Sequence, residues 1–224
     1  MGKLKESEEY LQNALKLFDQ IGDLVHIPTA LNNLSLVKSQ QGQVESSIVL
    51  MQEALAKQRE LGQTLETATT MNNLGTAYKG MGSYEMAIRY FLSSLELSRI
   101  HDRPKDIAIC LINLSGVYQK MEKWQDALDG YEEAREILEK LGSSHLLATL
   151  YSNMATIYFE LNNLEKMQEF LDYSMDIYRE RNDQDGLAQS YNNMAVFFHK
   201  KDTGRAIKYL KQALEISVNI QDRN

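Results

Sequence analysis

Cysteine, proline and aromatic residues are scarce in this chain of 224 residues, which has one cysteine, two prolines and 8% aromatic residues. The lone Cys110 can form neither an intramolecular disulfide nor a cysteine-based metal site. So few prolines, together with the absence of any run that alternates apolar and polar residues, predict an all-α fold.

The chain also lacks a net positive charge, a targeting segment and a catalytic motif. The formal net charge is −7, whereas a nucleic-acid-binding protein needs a basic face to displace counterions from phosphates, so we expect no nucleic-acid partner. No signal peptide and no apolar run long enough to cross a bilayer is present, which predicts a cytoplasmic protein without a membrane partner. The four histidines are scattered and no glycine-rich phosphate loop occurs. We therefore expect no enzyme, no metal site and no cofactor.

What the chain does contain is a period of 40 residues. In each half of the period, apolar residues fall at three- and four-residue spacing, which indicates two amphipathic helices, A and B, joined by a short turn. One such pair cannot bury both of its faces, so neighbouring pairs must stack. In every full repeat an asparagine precedes Leu or Met and then a small residue, at Asn33, Asn73, Asn113, Asn153 and Asn193.

This register predicts one solenoid domain. Residues 1–30 hold a half repeat, helix B alone, and a connection, because Ala14 takes the place that Ala54 has in the next repeat. No polar capping helix follows helix B of the last repeat, so we expect about 11 helices and a segment of a longer protein. The five full repeats are predicted at 31–70, 71–110, 111–150, 151–190 and 191–224.

The repeated residues resemble the signature of the tetratricopeptide repeat. The resembling positions of the second full repeat are Met71, Leu74, Gly75, Tyr78, Ala87, Phe91 and Ser94. The long period is similar to that of the lengthened form found in cell-polarity scaffold proteins and in bacterial peptide receptors and regulators. This resemblance implies a right-handed α-solenoid in which the A helices line a concave groove and the B helices form the convex side. Lys38 and Met167 depart from the aromatic and the small position of the signature, so we expect looser packing at both points.

The asparagines suit a peptide that is held by its main chain. An asparagine side chain has donors and an acceptor, so it can bond both the N–H and the C=O of one peptide unit. Packed helices lie roughly 8–10 Å apart and an extended chain rises about 3.3 Å per residue, so one asparagine per repeat meets every third residue. The alternative is structural: each asparagine bonds a neighbouring helix and sets the angle between repeats. The residues predicted to contact a peptide are Asn33, Asn72, Asn73, Lys79, Ile112, Asn113, Gln119, Lys120, Asn153, Phe159, Asn192 and Asn193.

The resemblance implies a protein–protein interaction scaffold that binds a peptide segment of a partner in the concave groove. One alternative is a regulatory or sensor segment of a larger signalling enzyme or transcription regulator. Another is an oligomerisation spacer. The unpaired first helix leaves Tyr10, Leu11, Leu15 and Phe18 without a partner, which predicts self-association through that helix.

Overall fold

Helices make up nearly all of the computed structural model, which describes residues 2–199 and 202–221 apart from the side chain of Gln221. No strand occurs among these residues, so the all-α expectation is confirmed. Contacts divide the chain into two compact units, Met1–Met121 and Glu122–Asn224. The helices of unit 1 are α1 (Gly2–Ile21), α2 (Ile27–Gln40), α3 (Val44–Glu60), α4 (Thr64–Gly80), α5 (Tyr84–Ile100) and α6 (Pro104–Lys120). The helices of unit 2 are α7 (Trp124–Leu141), α8 (Ser144–Glu160), α9 (Leu164–Glu180), α10 (Gln184–Phe198) and α11 (Thr203–Gln221).

Short turns of one kind produce the register of unit 1. Residues 81–83 connect α4 to α5, and their central residue, Gly82, has a φ of 75°. Asp102 has the same left-handed backbone, with a φ of 48°, in the turn after α5. The N–H of Ser83 reaches back to the carbonyl of Tyr78 over 2.9 Å, which closes the end of α4. Because α4, α5 and α6 are each 17 residues long, equal helices and equal turns keep the period constant.

Small residues allow the two helices of a pair to cross closely, as the period predicts. A Cβ atom on Gly75 in α4 would lie 2.6 Å from the ring of Phe91 in α5. Phe91 and Ala87 both expose 0% of their surface, so this crossing is at the centre of the core. The hydroxyl of Ser94 also donates to the carbonyl of Ala68 over 2.7 Å, which ties α5 to the backbone of α4.

The two departures from the repeat signature are accommodated in different ways. Met167 is fully buried and packs with Leu171 and Met194, so the larger side chain has a place in the core of unit 2. Lys38 instead extends to α1, where its Nζ lies 2.6 Å from Oε1 of Glu8. A polar contact between helices thus takes the place of the aromatic residue.

Helix α1 packs on unit 1 more fully than the sequence indicated. Leu15 and Phe18, which were expected to lack a partner, pack against Ile27 and Leu31 of α2, and Leu11 is half-buried. That expectation was wrong for Leu15 and Phe18 because α1 packs on α2 as a helix B packs on the following helix A. The large hydrophobic side chains that α1 leaves exposed are Tyr10, Leu17 and Ile21.

Acid is expected to loosen α1 through its ion pair. The bond from Lys38 and then that from Gln41, whose Nε2 lies 2.9 Å from Oε2 of Glu8, hold the pKa of Glu8 below its usual value. A carboxylate with a lowered pKa in the folded state stabilises the fold above its ordinary pKa, and this contribution is lost as the pH falls through the lowered pKa. We therefore expect the hydrogen-exchange protection of α1 to decrease, relative to α4, below about pH 4.

The matched comparison is Glu8→Gln with Glu9→Gln, because Glu9 is an exposed neighbour on the same helix. Glu8→Gln removes the charged acceptor and should reduce the protection of α1 already at pH 7, whereas Glu9→Gln should not. Equal protection in the two variants would show that the ion pair does not hold α1 in place.

Candidate partner-binding surface

Side-chain amides connect the A helices of unit 1. The Nδ2 of Asn32 in α2 donates to Oγ1 of Thr70 in α4 over 2.7 Å. The Nδ2 of Asn113 in α6 donates to Oδ1 of Asn72 in α4 over 3.1 Å. These bonds join α2, α4 and α6 directly, so part of the asparagine pattern is structural in unit 1.

Two lysines lie seven residues beyond the pair formed by Asn72 and Asn113. Seven residues are nearly two helical turns, or about 10 Å along the axis, so Lys79 and Lys120 share the faces of α4 and α6 with that pair. Burial, followed by the nearby charge of Lys120, lowers the pKa of Lys79. Neither ammonium group forms an ion pair with an acidic residue of the described chain. We define the A-face of unit 1 as Asn72, Lys79, Ile112, Asn113, Gln119 and Lys120.

The A helices of unit 2 carry a second group of the predicted residues, which we define as the A-face of unit 2: Asn153, Phe159, Asn192 and Asn193. Asn153 in α8 forms a hydrogen bond with the phenol of Tyr131 in α7, whose pKa is raised by burial. Asn193 accepts a bond of 3.2 Å from Gln189 on its own helix, and Asn192 is exposed. The polar groups of this face are therefore partly engaged within unit 2.

Phe159 opens onto an apolar cavity in unit 2. Its ring stacks on Phe197 with 4.5 Å between the ring centroids. The cavity measures ≈ 550 Å³ and is lined by Phe159, Ala195, Val196, Phe197, His199, Ala206 and Leu210. Val196 is 67% exposed and Leu210 52% exposed, so this apolar surface is open to a ligand.

The five asparagines of the 40-residue register have different environments. Asn33 and Asn73 are exposed and bond no other side chain of the described residues. Asn113 and Asn153 are half-buried and bond other helices, whereas Asn193 bonds within its own helix. Peptide contact by this row stays a prediction, and the structural alternative has direct support at Asn113 and Asn153.

Three hydrogen bonds between helices were missed by sequence reasoning. They join Asn32 to Thr70, Asn153 to Tyr131, and the hydroxyl of Ser152 to that of Ser174 over 2.8 Å. A signal was present at one place, because Asn32 and Asn72 precede the asparagine row by one residue in the same period. Thr70 gave no such signal in the sequence, since no other repeat has a threonine at the equivalent position.

Two further classes of site are lacking within the described residues. No group of three or more His, Cys, Asp or Glu side chains there is placed to hold a metal ion. No helix in the same part of the chain has the length and apolar character needed to cross a membrane.

Comparison with protein families and solved structures gives a consistent result. A family model described as tetratricopeptide repeat matches residues 26–100, 66–140, 106–171 and 146–217. A comparison with curated protein sequences gave no match.

Three solved structures are similar to the chain over nearly its whole length. BtubC (BKLC) from P. vanneervenii is 17% identical, with a TM-score of 0.83 over 97% of this chain and 92% of that one. The apo form of RapI is 16% identical, with a TM-score of 0.78 over 98% and 79%. Aspartyl phosphate phosphatase F from Bacillus subtilis is 14% identical, with a TM-score of 0.75 over 97% and 68%. At these identities the likeness establishes the fold, and it confirms the expected α-solenoid class.

Proposed function

The chain belongs to the tetratricopeptide repeat family, and from this premise we propose that it is an interaction scaffold whose A-faces bind a peptide segment of a partner protein. The peptide carries an acidic residue that is recognised on the A-face of unit 1. Independently of this, the cavity beside Phe159 in unit 2 binds a large apolar residue of a partner. The scaffold itself performs no reaction.

The observation that carries this proposal is the pair of lysines Lys79 and Lys120. Partial burial, followed by the like charge of Lys120 on a neighbouring helix, lowers the pKa of Lys79. A carboxylate between them would relieve the repulsion and accept charge-assisted hydrogen bonds from both ammonium groups. Its binding would also raise the pKa of Lys79, because a negative charge beside an ammonium group favours the charged form.

The amide pair Asn72 and Asn113 supports recognition of a main chain on the same face. Asn113 uses one N–H of Nδ2 in its bond to Asn72, which leaves its Oδ1 as an acceptor and the Nδ2 of Asn72 as a donor. An extended peptide presents an N–H and a C=O at each residue, so it can bond both free groups without regard to its side chains. The exposed Asn73 offers a further donor and acceptor on the same helix.

The cavity of unit 2 supports an apolar anchor. Interfaces gain most of their affinity where a large side chain is fully desolvated in a preformed pocket. The rings of Phe159 and Phe197 form one wall, and the exposed Leu210 and Val196 form a rim that loses water when an apolar side chain enters. A Leu, Phe or Met side chain has the required shape and chemistry.

Selection from a displayed library of random peptides tests the proposal and does not require that the partner be identified first. The whole chain should enrich peptides that contain Asp or Glu. The double variant Lys79→Ala/Lys120→Ala should bind an enriched peptide about tenfold more weakly by fluorescence anisotropy, because one charge-assisted bond is worth that factor or more.

The matched control is Lys16→Ala/Lys105→Ala, which removes the same net charge from exposed positions of α1 and α6 outside the A-face. Affinity in this control should stay within about twofold of the wild type, since exposed charges act weakly at a distance. Selected peptides without acidic residues, or equal losses in the two double variants, would refute recognition at the A-face of unit 1.

A further inference from the structure

An exposed apolar stripe runs along helix α11 of unit 2. Its members are Ile207, Leu210, Leu214 and Val218, which are 48%, 52%, 64% and 46% exposed. They are three, four and four residues apart, so their side chains lie within about 80° of one another around the helix axis. Single apolar residues are common on protein surfaces, whereas a continuous stripe of this kind marks an interaction site.

The corresponding face of α3 in unit 1 is covered by a helix. Because the repeat is one residue shorter before α11, the positions that correspond to the first three members of the stripe are Ile48, Met51 and Leu55. They are only 7%, 4% and 6% exposed. Met71 and Leu74 of α4 pack against them in one cluster, together with Tyr78. This face of a B helix therefore fits a helix whose apolar residues are three and four apart.

Helix α9 of unit 2 is covered in the same way. Leu171 is fully buried and packs with Met194 of α10, which has the place of Leu74 in the repeat. Met175 is also buried and packs with Leu187 of α10. Among the described residues, no helix covers the corresponding side of α11, as the exposure of the stripe shows.

A second copy of this chain does not offer a helix of this kind. The residues that make the contact in the folded chain, such as Leu74 and Met194, are buried within their own unit. Presenting them to another copy would open the core to which they belong. The helix that fits the stripe therefore comes from another protein.

The charge beside the stripe favours an acidic helix. Lys208 and Lys211 follow Ile207 by one and four residues, so they lie along one edge of the stripe. Both are exposed, and within the described part of the chain neither forms an ion pair. Glu215 lies one turn beyond Lys211, so the edge carries two positive charges and one negative. This excess is local, since the whole chain has a formal net charge of −7, and a partner of opposite charge is favoured.

The stripe is continuous with the cavity beside Phe159, because Leu210 lines that cavity and is also a member of the stripe. Leu214 and Val218 extend the apolar surface along α11 beyond the cavity. A partner that covers the stripe therefore lies beside the cavity as well.

We propose that α11 and this cavity together bind an amphipathic helix of a partner protein. Its apolar residues, spaced like Met71, Leu74 and Tyr78, face the stripe, and its acidic residues face Lys208 and Lys211. The helix lies on α11 as α4 lies on α3, which is the helix-in-groove mode of recognition. The inference rests on the proposed function for the cavity alone, and it adds the conformation and the charge of the partner.

Two synthetic peptides of about 20 residues, titrated with the whole chain by fluorescence anisotropy, test the proposal. Both carry Met, Leu and Tyr at the spacing of Met71, Leu74 and Tyr78, with Ala and Glu elsewhere in one peptide and Ala and Lys in the other. A covalent staple on the opposite face keeps each peptide helical, because short isolated helices are marginal in water. The acidic peptide should bind with a Kd on the order of 100 μM, and the basic peptide about tenfold more weakly at low salt.

Leu214→Ser is the decisive variant because it shortens an exposed side chain of the stripe that does not line the cavity. It should fold like the wild type and bind the acidic peptide about tenfold more weakly. The matched control is Leu92→Ser, which removes an exposed leucine from α5 in unit 1 and should leave the affinity within about twofold. Lys208→Glu/Lys211→Glu should reverse the preference between the two peptides.

Equal binding of the acidic peptide to the wild type and Leu214→Ser, or equal affinity for the two peptides, would overturn the proposal. So would a dimer in light scattering that Leu214→Ser dissociates, because a second copy would then cover the stripe. Lys79→Ala/Lys120→Ala should leave the affinity for the acidic helix unchanged, and a loss would assign this peptide to the A-face of unit 1 instead. The helix and the selected peptides thus depend on different residues, so either proposal can fail without the other.

Discussion

Gly75→Ala is expected to lower the free energy of unfolding by about 2 kcal/mol, because an added methyl group forces the buried ring of Phe91 out of its place. The new Cβ would lie 2.6 Å from that ring, which is closer than carbon atoms approach without strain. Phe91 exposes 0% of its surface and has no free volume to enter. Urea unfolding of the two proteins, followed by circular dichroism, measures the difference.

Gly80→Ala is the matched control because Gly80 lies on the same helix and has no atom within 4 Å of an added Cβ. Alanine is the better helix former, so this variant should be neutral or slightly stabilising, by up to about 0.5 kcal/mol. The double variant Gly75→Ala/Phe91→Leu should regain part of the loss, since a smaller side chain leaves room for the methyl group. Similar effects of Gly75→Ala and Gly80→Ala would mean that helix α5 shifts away from α4 at little cost.

Asn153→Ala is expected to destabilise the fold by about 1–1.5 kcal/mol, whereas Asn73→Ala should change the stability by less than about 0.5 kcal/mol. Both residues have the same place in the 40-residue register. Asn153 bonds the phenol of Tyr131, a residue that exposes 0% of its surface, so the variant loses a hydrogen bond inside the core. Asn73 is exposed, and water replaces whatever its amide contacts.

A double-mutant cycle with Tyr131→Phe isolates the contribution of this one bond. Phenylalanine keeps the ring and removes the hydroxyl, so Asn153→Ala should cost little in the Tyr131→Phe background. A coupling energy of about 1 kcal/mol is expected from chemical unfolding. A coupling near zero would show that the bond to Tyr131 does not contribute to stability. Equal effects of Asn153→Ala and Asn73→Ala in the wild type would show that the place in the 40-residue register, and not this bond, sets the contribution of each asparagine to stability.

These two contrasts separate the interpretations of the asparagine row. An asparagine that stabilises its own fold serves the packing of the repeat, and one that contributes nothing to stability is available for a partner. Asn33 and Asn73 are exposed, so we expect them to contribute little to stability, and their contact with a peptide stays a prediction. Asn113 belongs to both groups, because its bond to Asn72 leaves part of each amide unused.

Much of the fold was predictable because it depends on local and periodic properties. The spacing of apolar residues fixes which side of each helix is buried, and Leu34, Leu74, Leu114, Met154 and Met194 are all buried as expected. Gly75 indicated that two helices cross closely, and a Cβ atom at this position would clash with Phe91 where α4 crosses α5. The predicted limits of the repeats stay an interpretation, since α4 begins at Thr64, seven residues before the predicted start at 71.

The candidate sites were less predictable because they depend on pairs of residues from different helices. No period relates Lys38 to Glu8, or Gln63 to the carbonyl of Val25, and in both cases the partner is set by how the helices pack. A single sequence contains the donors and acceptors but not these distances.

By itself, then, the sequence determined the class of fold, the helical repeat and the buried side of each helix, since all three follow from composition and short-range spacing. Only the tertiary structure decided which asparagines bond other helices, that α1 has a partner in α2, and that burial, followed by the charge of Lys120, lowers the pKa of Lys79. The physical reason is the separation along the chain of the residues that each interaction joins. Helix formation and amphipathicity act over three or four residues, whereas hydrogen bonds, ion pairs and cavities depend on distances of a few ångströms between residues that lie far apart in the chain.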